Sequence, residues 1–149
     1  MSLIGMTPRV AACVGVLCLL ASAANAQSER IEAGLWKVTT NLVMNGNPMP
    51  VEVKNRCLTA EQAGDLAGTF GPEVTSVNTE CKSERAFKDG RLKWMMQCRG
   101  QIDIDVSGDF TFDNAKHYSA KVATKAFMGG RKVADSSAAI EGEHSGTCP

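Results

Sequence analysis

Cys81-Lys-Ser-Glu-Arg-Ala-Phe-Lys-Asp89-Gly90-Arg-Leu-Lys-Trp-Met-Met-Gln-Cys98 is the stretch from which the fold is read. Asp-Gly is a preferred pair for a type I′ two-residue turn, whose twist matches that of paired strands. Folding the chain back about Asp89-Gly90 sets Phe87 against Leu92, Arg85 against Trp94, Ser83 against Met96 and Cys81 against Cys98. One face of this hairpin is largely apolar. The other carries Lys82, Glu84 and Lys88 opposite Gln97, Lys93 and Arg91, as a water-facing surface should. Arg85 opposite Trp94 reads as a structural cation–π pair.

Downstream, Ile102, Ile104, Val106, Gly108, Phe110 and Phe112 alternate with Asp103, Asp105, Ser107, Asp109 and Thr111, the strictest period-2 run in the chain. Such alternation marks a half-buried strand. After a turn at Asp113-Asn114 the pattern continues through Tyr118, Ala120, Val122, Thr124 and Ala126. Pairing Phe112 with Tyr118 then sets Phe110 beside Ala120 and Ile104 beside Ala126, large against small. Gly129-Gly130 turns the chain again, and residues 132–143 form a last strand whose inward face is either Ala134, Ala138 and Ile140 or the odd-numbered set.

Upstream, Trp36, Val38, Thr40 and Leu42 share one face of a strand, Asn45-Gly46-Asn47-Pro48 is a turn, and residues 50–57 form a second extended run carrying Val51 and Val53 on the same face. Thr59 and Gln62 make a capping box for one short helix. Residues 67–79, with Gly68, Gly71 and Pro72, read as loop. The sum is a mainly β protein: an antiparallel meander of about seven strands forming a curved sheet or open barrel, with one short helix. The expected inward set is Trp36, Val38, Phe87, Leu92, Trp94, Ile104, Val106, Phe110 and Tyr118.

The first 26 residues read differently. Arg9 is followed by an apolar run, residues 10–21, and by Ala24-Asn25-Ala26, the three parts of a secretory signal peptide cleaved after Ala26. The run is too short to span a membrane. Val10-Ala-Ala-Cys13 has lipobox spacing, but the apolar run follows Cys13 when it should precede it. Residues 27–149 are then a single disulfide-bonded β domain, exported and without a transmembrane anchor. Of 149 residues, 16 are Lys or Arg and 16 Asp or Glu, a balance that points away from nucleic acid.

Loss of the signal removes Cys13 and Cys18 and leaves Cys57, Cys81, Cys98 and Cys148. An even number in an oxidising compartment reads as disulfides, and four cysteines allow three connectivities. Alternation from the Asp89-Gly90 turn makes 81/98 a non-hydrogen-bonded pair, with Cα atoms about 4.5 Å apart and within bridging reach. Cys57 is left to reach Cys148. No C-x-x-C pair exists to suggest zinc.

Gly34-Leu35-Trp36, Met44-Asn-Gly-Asn-Pro-Met49-Pro50, Cys57-Leu58-Thr59, the Cys81–Cys98 hairpin with Trp94, Thr111-Phe112-Asp113 and terminal Gly146-Thr147-Cys148 together resemble the secreted proteobacterial family called domain of unknown function 3617. The resemblance covers nearly all of the mature chain. It implies a Gram-negative periplasmic address and an all-β, cysteine-bridged domain, and it supplies no activity or catalytic residue.

The candidate chemistry is sparse. His117 and His144 belong to no H-x-x-x-H or H-E-x-x-H motif, and Glu141-Gly-Glu143-His144 is a weak surface-ion motif. Ser145 stands one position too late for G-x-S-x-G. Asp103, Asp105, Asp109 and Asp113 read as a solvated strand face opposed by Lys121 and Lys125. Met44 and Met49 flank a turn and offer soft sulfur suited to Cu(I), though without a third methionine; Met96 is core filler. No catalytic, cofactor or metal residue is therefore assigned. The reading is a non-enzymatic binding or interaction module for a small apolar ligand or an envelope partner. Two alternatives are a soft-metal, copper-type protein and a hydrolase whose Asp and His groups, His117 among them, are gathered by the fold.

Overall fold

The computed structural model describes residues 30–72 and 80–149. Residues 1–29, which include the expected signal peptide, and residues 73–79 of the expected loop lie outside the described residues. Eight strands, β1 (Gly34–Met44), β2 (Asn47–Pro48), β3 (Glu52–Leu58), β4 (Glu80–Lys88), β5 (Arg91–Arg99), β6 (Asp103–Asn114), β7 (His117–Met128) and β8 (Arg131–Gly146), form one antiparallel sheet. Two short helices, α1 (Ala60–Gly64) and α2 (Leu66–Thr69), follow β3. Among the described residues no helix is long and apolar enough to cross a membrane.

The β4–β5 hairpin has the expected register throughout, from Lys88 opposite Arg91 to Cys81 opposite Cys98. Asp89 and Gly90 take φ of 51° and 68°, the two left-handed residues a type I′ turn requires. Phe110 pairs with Ala120 and Ile104 with Ala126, also as expected. The Phe112–Tyr118 pairing does not form, because the register shifts between Thr111 and Asn114. The turn itself is Ala115-Lys116, not Asp113-Asn114. Asn114 Oδ1 accepts a hydrogen bond from the Lys116 amide at 2.8 Å, an Asx turn that moves the bend two residues on.

The expected mainly β, antiparallel, open architecture is what forms, with three differences of detail. The strands number eight because Asn47 and Pro48 pair with Met44 and Val43 while Asn45 and Gly46 make the turn. The order is a meander only from β4 to β8; β8 then pairs with β1, and β1 with β3, so the sheet is open with β3 and β4 at its edges. Within the expected loop, residues 66–69 are helical: Asp65 caps α2 by accepting from the Gly68 amide at 2.9 Å. Four residues are too few to show a helical period. The capping box of α1 forms as read, with Thr59 and Gln62 exchanging hydrogen bonds of 3.2 and 2.9 Å.

The face of the sheet that bears Trp36 is the inner one. Trp36, Leu92, Trp94, Phe110 and Tyr118 are buried there, with Val38, Phe87 and Val106 half-buried against them. Ile104 is half-buried as well. The even-numbered face of β8 is inward, since Ile140 lies opposite Ala120 and Gly142 opposite Tyr118. Leu58 from the end of β3, with Ala63, Leu66 and Phe70 from the helical segment, closes this core. Phe70 alone meets Phe110, Phe112 and Tyr118 at ring-centroid distances of 5.0 to 5.5 Å. The cysteines form two pairs at disulfide distance, Cys57 with Cys148 and Cys81 with Cys98, at Cα separations of 5.6 and 4.0 Å. The first fastens the edge strand β3 to the chain's end.

Candidate functional site

β3 inverts the usual pattern. Its register sets Arg56 opposite Trp36 and Lys54 opposite Val38, so the charged residues share the inner face with the core. Val51 and Val53 point the other way and are 59% and 54% exposed. A strand normally puts its apolar side chains inward; this one does so only at its end, where Leu58 is buried, and sets charges beside the fully buried Trp36.

The consequence is a cleft of about 510 Å³ between β3, the α2 segment and the inner face of β7 and β8. Its apolar wall is Val38, Phe70, Phe110, Tyr118 and Ile140, and its polar wall includes Lys54 and Arg56. The wall is built by close packing. The Tyr118 ring lies over Gly142 and the Trp94 ring over Gly108, positions where any Cβ would overlap the ring. Trp94 Nε1 donates to the Phe70 carbonyl at 2.8 Å and so pins the α2 segment to the sheet.

Two polar groups are notable. Tyr118 is 3% exposed, and no hydrogen bond holds its hydroxyl among the described residues. Burial raises its pKa above 10.0, partly opposed by the Arg56 charge, so the phenol remains protonated. Arg56 lies over the Phe70 ring at 5.4 Å from its centroid and reaches the Thr69 carbonyl at 3.5 Å. Lys54 is paired with Glu52 at 2.7 Å; among the described residues no carboxylate pairs with Arg56.

The residues singled out in the sequence distribute as follows. Arg85 is opposite Trp94 but makes no cation–π contact with it. Its Nη1 instead donates to the Ala67 carbonyl at 3.3 Å, because α2 supplies an acceptor that the sequence did not reveal. Asp105 and Asp109 lie opposite Lys125 and Lys121 in register, yet their close partners are on β5: Arg99 at 2.7 Å, and Arg91 and Lys93 at 2.8 and 3.4 Å. The hydrogen bond from Arg91 holds the Asp109 carboxyl below its usual value of 3.8. Ser145 donates to the Leu35 carbonyl at 3.0 Å. Met44 and Met49 are exposed, and among the described residues no group of three or more His, Cys, Asp or Glu side chains could hold a metal ion.

His117 is where the fold gathers acid and base. Nδ1 lies 2.8 Å from Asp113 and Nε2 3.0 Å from Glu141, and the Asp113 hydrogen bond raises its pKa above 6.5. With both nitrogens engaged by carboxylates, the ring has no nitrogen left to take a proton from a substrate. It ties β6, β7 and β8 together, and the two carboxylates favour its charged form. His144, packed edge-on to Trp36 at 5.5 Å, has Nε2 3.1 Å from the Ala33 carbonyl and Nδ1 3.6 Å from Glu32.

On the opposite face a depression of about 810 Å³ crosses the middle of the sheet. Its floor is Ser107, Ala123, Ser137 and Ala139, and its rim includes Met95 and Lys93. Short or solvated side chains give it breadth without a buried polar contact.

The arrangement defines a class, an open all-β sheet fastened by two cysteine pairs and holding an aromatic cleft on its inner face. The chain belongs to the family described as Protein of unknown function (DUF3617), whose model matches residues 31–148. No curated protein and no solved structure matches the chain.

Proposed function

We propose that this protein is an exported, periplasmic, non-enzymatic binding module that holds a small apolar ligand in the inner-face cleft. One observation carries the reading: an aromatic and aliphatic wall continuous with the core opens into a cleft of about 510 Å³, within the size range of ordinary ligand sites. Phe110 and Tyr118 stand on strands and Phe70 is held by the Trp94 hydrogen bond, so the wall is formed before a ligand arrives.

The test uses the neutral apolar dye N-phenyl-1-naphthylamine, whose fluorescence rises on leaving water. The oxidised protein should enhance it saturably, and Val38→Phe or Ile140→Phe, which fill the cleft, should abolish the effect while leaving the circular dichroism unchanged. Enhancement that survives both substitutions refutes the reading. Export has its own check: intact-mass analysis of secreted protein should begin at Gln27 or its cyclised form, and a retained N-terminus or a diacylglyceride on Cys13 refutes it.

A further inference from the structure

We infer that the ligand is an amphipathic anion, an apolar body ending in a carboxylate or similar oxyanion, whose head is held by Arg56 and the Tyr118 hydroxyl; this rests on the cleft being the binding site. Both groups line the same cleft from opposite sides, Arg56 on β3 and Tyr118 on β7. Each is incompletely satisfied. Tyr118 has a nine-tenths-buried side chain with an O–H donor and no acceptor among the described residues. Among the described residues no fully buried side-chain polar atom lacks a partner, so the Tyr118 hydroxyl opens to the cleft that it lines, where a ligand's acceptor can reach it.

Arg56 adds the charge. Inward-pointing charges also blunt the edge of a sheet, and Lys54 fits that role with Glu52 as its partner. Arg56 differs, having only a ring face and one long contact to a carbonyl. A guanidinium against an aromatic ring keeps its edge free for an oxyanion. The protonated phenol is a donor at neutral pH and adds no competing negative charge. Two donors facing one cleft from its two sides, over an apolar wall, match one chemical pattern, a single oxyanion on a hydrocarbon body.

Decanoate and decanol, equal in chain length, separate the head group from the body. In a cleft that is only apolar, decanol displaces the dye better, because the carboxylate must be stripped of water. With the inferred contacts decanoate should displace it at roughly tenfold lower concentration, the scale of one charged hydrogen bond. Arg56→Gln, at an exposed edge position, should remove that preference. Tyr118→Phe keeps the ring and should weaken decanoate severalfold while sparing decanol. Equal displacement by the two, displacement by neither, or a preference that persists in Arg56→Gln overturns the inference while dye binding leaves the apolar cleft standing. Failure of the dye itself to bind overturns both.

Discussion

At the scale of single residues, His117 and Asp109 give the protein opposite responses to pH. His117 has a folded pKa above its ordinary 6.5, so its clamp contributes fully below that value and is lost as pH rises through the folded pKa. The melting temperature of the wild type should therefore fall between about pH 6 and pH 8 by more than that of His117→Gln, measured by thermal scans in matched buffers. Asp109 is held below 3.8, so its contribution is present above that value and lost as pH falls through the folded pKa. Because its side chain is about a third exposed, Asp109→Asn should cost only a few degrees near neutrality, and Asp105→Asn likewise. A large loss in either would show that these pairs are a structural network and not a solvated face.

At the scale of elements, the hairpins are joined by turns and locked by rings lying over glycines. Tyr118 on β7 covers Gly142 on β8, and Trp94 on β5 covers Gly108 on β6. Adding a methyl group at either site forces the ring out of a packed position, a change that costs about 1–3 kcal/mol. Gly142→Ala should also weaken ligand binding, since Tyr118 is part of the cleft wall, whereas Gly108→Ala should act first through Trp94 and its bond to Phe70. Urea denaturation of the two variants checks the stability effect. Both glycines sit inside period-2 runs, where a sequence shows only a missing side chain. What fills the space is a residue on the neighbouring strand.

At the scale of the whole molecule, the two cysteine pairs close loops of very different size, with sequence separations of 91 and 17. In the chain-entropy account the short loop stabilises by about 3 kcal/mol and the long one by somewhat under 5. Cys57→Ser with Cys148→Ser should thus lower stability more than Cys81→Ser with Cys98→Ser. The first change should also impair the cleft, because β3 carries Arg56 and, among the described strands, pairs with β1 alone. Denaturant titration, with dye binding followed in parallel, measures both effects.

The sequence by itself determined the strands and hairpins joined by short turns. Asp89-Gly90 set every pairing of β4 with β5, and alternation in residues 102–112 placed Phe110 inward. It also determined the α1 cap, since Thr59 and Gln62 are three residues apart. These are short-range matters, decided by turn geometry and by which side chains fit a half-buried face. Only the tertiary structure decided the pairing of β1 with β8, the inward face of β8 and the bracketing of His117 by Asp113 and Glu141. The same holds for the cleft. Residues 50–57 read as an ordinary strand with Val51 and Val53 on one face, and nothing local says that this face is the outer one. Its orientation follows from pairing with β1 and from the tie to Cys148, which turn Arg56 inward to the cleft that Tyr118 reaches from β7. Contacts between distant segments are selected by the fit of whole surfaces, and a one-residue change of register exchanges the two faces of a strand.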